Sequence, residues 1–448
     1  MQIDVDRLID ERPVSALQIR VFVFCALVAV LDAVDSQSIG VAGPLMAQEL
    51  KMTVASFGPV YSSGLFGATI GALAFGPISD RYGRRPTLVF TTFLFAIFTC
   101  LTPFAGSFSL LMMLRFIAGL GLGGATPCFI TMAAEYAPAR SRAMLVSLLW
   151  AGYPLGNAVG GFMTSYLIKN FHWSMVFYAG GMPTLIIALL LLFFMPESLR
   201  HAASRESKAL ANALARRLDP SLPSDADILA RRQEAKPKVP IFELFRDGRA
   251  AGTILLGFML YFGFATTTVI VLQTPTILRE AGIPLDVSAQ LVATYSIVAT
   301  IGMAVAGKLV ERLGPVRALA IPFAGGAVLL ATLGHVTSSP VATTAVMMLL
   351  GVTVSVGSSG TIALAATFYP TAMRSAGTGW VMCLGRFGQV CSPLIISVML
   401  ALHWTPDRIL AVMALAPLLG GVCVVLKTLL SPASAPRLRA TEVEEPAQ

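Results

Sequence analysis

Charge is what this sequence has least of: Asp, Glu, Lys and Arg make up 12% of its 448 residues and 56% are hydrophobic, against about 25% charged in an ordinary soluble domain. A water-soluble globular fold is excluded on that ground, and the bilayer becomes the expected solvent. Histidine and cysteine are scarce too. The four histidines (His172, His201, His335, His403) stand apart from any Cys or acidic cluster. The six cysteines sit singly within apolar runs, with neither disulfide nor metal-ligand spacing, and read as small packing residues. No GxSxG or Walker-type stretch is found, so nothing points to an enzyme, an ATP-driven machine, a metal or a cofactor. The net charge of +8 is not gathered into a basic patch interleaved with aromatics, so no nucleic-acid partner is expected. Attraction to anionic lipid and membrane topology account for it. A cleaved leader is not expected either, because "MQIDVDRLIDERPVSALQIR" precedes an apolar run longer than a signal core.

What is present is a series of long apolar runs. A spanning helix needs roughly 20 such residues, and twelve runs qualify: 20–46, 55–78, 86–105, 109–134, 142–168, 174–195, 250–278, 288–310, 316–335, 341–366, 375–401 and 408–430. The expected fold is all-α and membrane-embedded, with twelve transmembrane helices in two six-helix repeats. Its divisions are an N-terminal segment 1–19, a first half 20–195, a charged and Pro-containing linker 196–249 with some amphipathic helix, a second half 250–430 and a tail 431–448. Of the 32 Lys and Arg, only Lys51, Lys169, Arg279 and Arg408 fall in the loops of one side, and Arg115 and Arg386 fall within spans. The positive-inside rule then places both termini and the linker in the cytoplasm.

The halves repeat. "GPISDRYGRR" returns as "GKLVERLGPV", aligning Gly76, Asp80, Arg81 and Gly83 with Gly307, Glu311, Arg312 and Gly314. Farther on, Gly119, Pro138, Arg142 and Gly156 align with Gly351, Pro370, Arg374 and Gly388. Repeated halves in a membrane protein place a substrate site near the midplane between them.

Charged residues inside spans mark ion or substrate paths. In "VAVLDAVDSQSIG", Asp32 and Asp35 share a helix face. Burial and mutual repulsion favour protonation of a carboxyl group, which suits a proton-coupled cycle. Glu135 is the next candidate for that role. Arg115 heads "RFIAGLGLGG", whose glycines at 119 and 123 favour close helix contact; it is read either as a substrate ligand or as the ion-pair partner of an aspartate or Glu135. Arg386, with Gln389 beside it, supplies a cation whose fork of donors fits a carboxylate. Trp150, Tyr153 and Asn157 lie on one helix face and offer a wall for an aromatic ring, while Tyr261 and Gln273 are secondary candidates.

"GPISDRYGRRP" resembles the signature loop of the major facilitator superfamily, and "GKLVERLGPVR" stands where that family has its second copy. The resemblance implies alternating access, with a conformational latch formed by Gly76, Asp80, Arg81, Gly83, Arg84, Arg85, Glu311 and Arg312. The paired acids of "LDAVDSQSIGVAGPLM" resemble those of the aromatic acid:proton symporters, with Ala33 and Val34 where members have Gly and a large residue. "RFIAGLGLGGATP", "AAEYAPARSRA", "QTPTIL" and "YPTAMRSAGTGWVMCLGRFGQ" also resemble that branch. It implies a monomeric importer of a small aromatic carboxylate together with protons, in a bacterial inner membrane. Three other readings are compatible: transport of a non-aromatic carboxylate, drug or metabolite efflux, and a substrate-sensing receptor. Efflux members carry GPxxGG in the fifth span, where this chain has "GNAVGG".

Overall fold

In the computed structural model the chain is almost wholly helical; residues 2–204, 208–218, 222, 227–229, 241–370 and 373–430 are described. The first six long helices are α1 Ala16–Glu49, α2 Phe57–Tyr82, α3 Arg84–Leu101, α4 Phe108–Tyr136, α5 Ala139–Asn170 and α6 Ser174–Phe194. The second six are α7 Ala250–Glu280, α8 Leu285–Pro315, α9 Ile321–Leu333, α10 Pro340–Phe368, α11 Arg374–Ala401 and α12 Pro406–Leu430. Ten helical stretches among the described residues are long and apolar enough to cross a bilayer. One of them, Leu285–Leu333, is broken into α8 and α9 by Gly314 at φ 76°. The remaining helix, α2, is long enough but is diluted by Gly and Ser. Twelve spans result.

Local chemistry sets the starts. Ser15 and Gln18 form a reciprocal capping box at α1, and Ser107 and Ser339 cap α4 and α10. Helices α1, α5 and α8 run several residues beyond the expected apolar limits at both ends, because helical hydrogen bonding continues into the interfacial region, whereas α9, preceded by a π-helical turn Val316–Ala320, falls inside its expected run.

Small residues set the packing. At Gly119 and Gly123 of α4, a Cβ would run into the backbone oxygens of Gly64 and Ala68 on α2, so the two helices touch backbone to backbone. The second half repeats the device, with Gly351 of α10 against Tyr295 and Ala299 of α8. Likewise Gly156 of α5 meets Val30 of α1, and its counterpart Gly388 of α11 meets Tyr261 of α7. The sequence repeat is therefore also a repeat of helix contacts.

The halves meet at the end away from the termini. Ser62 Oγ donates to Val390 O at 2.7 Å, the Gly58 amide to Ser397 Oγ at 3.0 Å, and Gln290 Nε2 to Ser165 Oγ at 3.0 Å. A Cβ at Gly40 of α1 would meet Leu272 Cα of α7 at 2.9 Å, where α7 carries a π-helical turn, Val269–Gln273. The halves are thus joined at this end by hydrogen bonds and by close backbone approach.

Below the first half, the short helices Val5–Glu11, Leu199–Ser204 and Lys208–Leu218 bury Val5, Leu8, Ile9, Leu199, Leu214 and their neighbours together. The N-terminal segment and part of the linker are therefore packed structure rather than free aqueous chain. A short parallel pairing, Gln2–Asp4 with Asp227–Leu229, joins them again. The tail 431–448 and much of the linker lie outside the described residues.

Candidate functional site

Asp32 and Asp35 of α1 are both buried, at 3% and 5% exposure, so neither faces lipid. Asp32 Oδ2 accepts a hydrogen bond from Tyr153 of α5, while its Oδ1 is enclosed without a partner. Asp35 Oδ2 lies 3.3 Å from Nη1 of Arg115 on α4. Arg115 also donates from Nη2 to Thr102 at 2.5 Å and to Thr99 at 3.3 Å, and its guanidinium sits 5.3 Å from the centre of the Phe177 ring. The two acids thus have different surroundings in this conformation. Asp35 is held by a cation, and Asp32 keeps one oxygen free.

A small cavity between α1, α2, α4 and α7 is lined in part by Asp35, Tyr61, Arg115 and Leu272. Arg386 of α11, the intramembrane cation of the second half, is half-buried. Trp150 and Tyr153 stand 6.0 Å apart between ring centres, and Asn157, one turn farther along α5, has its Oδ1 enclosed and unpartnered. Gln389 and Tyr261 are half-buried and Gln273 is buried. Tyr153 belongs with Asp32 and Arg115 with Asp35.

Glu135 lies elsewhere, with the loop after α2. Its Oε1 is 3.1 Å from Arg84 Nη2, and it also accepts from Ser198. Arg84 reaches Asp80 at 3.0 Å. Glu197 accepts the backbone amides of Arg84 and Arg85 at 3.0 and 3.2 Å, and Arg85 Nη2 donates to Leu192 O at 2.6 Å. Gly83 has φ 113°, and a Cβ there would run into the Glu197 carboxylate, so the turn demands glycine. Arg81 stacks on Tyr82. The second copy has no such cluster: Glu311 and Arg312 are exposed and, among the described residues, neither carries an ion pair. Thr367 occupies the place in α10 that Glu135 holds in α4, which removes the acid that anchors the first loop.

Thr99, Thr102 and Phe177 around Arg115, Glu197 and Ser198 under the loop, and Gln37 on α1 were not singled out by sequence reasoning. A charged residue near the end of an apolar run was the available signal for Glu197. For the others there was none.

The description Major Facilitator Superfamily belongs to the family model that matches residues 25–274 and 253–447. The 4-hydroxybenzoate transporter PcaK of Pseudomonas aeruginosa is 31% identical over 441 residues, covering 97% of this chain and 98% of that protein. A gallate transporter of Pseudomonas putida is 31% identical over 402 residues, covering 89% of each. Among solved structures, a D-xylose-proton symporter superposes with a TM-score of 0.70 at 17% identity, covering 93% of this chain and 98% of its own. A bacterial homologue of the human lysosomal transporter Spinster, inward-facing and unoccupied, gives 0.69 at 16% identity, covering 93% and 95%. This multi-pass membrane protein is a transporter and not an enzyme, and it belongs to the major facilitator superfamily.

Proposed function

We propose that the chain is a proton-coupled importer of a small aromatic carboxylate, bound as its anion, and that it works by alternating access. The observation that carries this reading is the buried Asp32, with one carboxylate oxygen unpartnered; Arg386, in the opposite half, is the cation assigned to the substrate's carboxylate. A proton on Asp32 removes a negative charge that would repel the incoming carboxylate and leaves Arg386 free to pair with it. Each ligand then strengthens the other's binding, as linkage requires. Trp150 and Tyr153 give the ring an apolar wall, which favours a ring over a sugar-like polyol. The named substrates of the matched relatives, 4-hydroxybenzoate and gallate, support the aromatic class. The divisions at 20–195 and 250–430 are the two rocking bodies in this reading. Both termini face the cytoplasm of a bacterial inner membrane, the working unit is a monomer, and the Arg84 cluster is the latch.

Purified protein in liposomes with an inward proton gradient tests the reading. Labelled 4-hydroxybenzoate should accumulate above its external concentration and leave when the gradient is collapsed. Uptake that merely equilibrates and ignores the gradient would refute coupling.

A further inference from the structure

Gln37 is fully buried, at 0% exposure, yet neither atom of its amide has a hydrogen-bond partner. Leaving a buried polar group unpaired costs about 1–3 kcal/mol, and a packing residue at this position would need no amide. Helix α1 climbs beside α5 in parallel. A Cβ at Gly156 would meet Val30 and Ala33, and one at Gly160 would meet Val34 and, at 3.3 Å, Gln37 Cβ. Tyr153, Asn157, Gly160 and Thr164 follow at spacings of four, three and four, which is one face of α5. On that face Asn157 Oδ1 and Thr164 Oγ1 are also enclosed and unpartnered. One turn beyond Gln37, Val41 packs with Leu285 and Ala289 of α8 and forms an apolar roof. Beneath the roof there is thus a set of unspent donors and acceptors, beside a glycine that presents no side chain to Gln37.

We infer that Gln37, with Asn157, is a specificity-determining residue that receives a ring hydroxyl of the transported acid. The inference rests on the aromatic-carboxylate reading above. From Asp32, whose Oδ1 is unpartnered, to Gln37 the helix rises about 7.5 Å, the scale of one benzene ring with substituents at opposite ends. With the carboxylate held at the level of Asp32, as in the reading above, the far end of the ring reaches the level of Gln37. A hydroxyl both donates and accepts, and so does an amide, so the pair is matched for a hydroxylated ring and left unsatisfied by a bare one. Sites built to bond a substrate hydroxyl reject the analogue that lacks it, because their own polar groups are then stranded.

The test uses the purified full-length transporter, with 4-hydroxybenzoate and benzoate as probes and calorimetric affinities for each. The wild type should prefer the hydroxylated acid by about tenfold or more. In Gln37→Met, which keeps length and removes the amide, that ratio should fall to within about threefold. Gln37→Asn retains the amide one methylene short, so its ratio should lie between the two; it also keeps the test alive if Gln37→Met fails to fold. A Gln37→Met ratio equal to the wild type's, including the case where both affinities drop together, overturns the inference and leaves the aromatic reading standing. Failure of the wild type to bind either acid overturns the reading itself, and the inference with it.

Discussion

The Arg115–Asp35 pair can be dissected by a double-mutant cycle. Its side chains are 4% and 7% exposed and lie 3.3 Å apart. Removing one partner of a buried pair costs about 3–5 kcal/mol, mostly through the charge left behind. Arg115→Met strands the Asp35 carboxylate and should show the full loss. Asp35→Asn strands Arg115 less, because Thr99, Thr102 and the Phe177 ring still hold it; about 1–3 kcal/mol is expected. The double variant leaves no unpaired charge and should be more stable than Arg115→Met alone, which sets a coupling energy of about 2 kcal/mol or more. Reversible denaturant unfolding in mixed micelles supplies the four free energies. Losses that add to within about 0.5 kcal/mol would show that Arg115 is not committed to Asp35 and would return it to the list of substrate ligands.

Two further outcomes are expected. Arg386→Ala should weaken binding of 4-hydroxybenzoate by about tenfold or more while barely changing binding of its amide, because a hydrogen bond to a charged group contributes about 1.5–3 kcal/mol; equal losses in calorimetry would remove the carboxylate contact. Asp80→Asn should change unfolding free energy by no more than about 0.5 kcal/mol, since its pair with Arg84 is exposed on the Asp80 side, yet should slow transport in liposomes, and a wild-type rate would reduce the loop to a topology signal.

The bilayer made much of this architecture legible in advance. It imposes a run length on each span, and close helix approach imposes small residues, so the twelve runs and the paired glycines at 119 and 351 could be read directly. Asp32, Tyr153 and Arg386 were legible one by one, because polar groups inside apolar runs stand out. Which partner each would take was not legible. Asp35 and Arg115 are 80 positions apart, and nothing local distinguishes Asp35 from Glu135 as the partner of Arg115. The Glu135 cluster forms because the ends of α4 and α6 converge on the loop after α2, a contact set by tertiary packing. Gln37 gave no signal at all: a lone amide among serines has no periodicity, and only its complete burial without a partner makes it conspicuous.

The central claim is that Asp32 couples the proton to the acid, and Asp32→Asn tests it most directly because asparagine keeps the shape of the protonated carboxyl while fixing its charge. Liposomes loaded with the variant are followed with labelled 4-hydroxybenzoate in two assays, exchange at equal pH on both sides and uptake driven by a pH gradient. Exchange should survive while accumulation above the external concentration is lost. Uphill accumulation by Asp32→Asn at the wild-type level would contradict the claim.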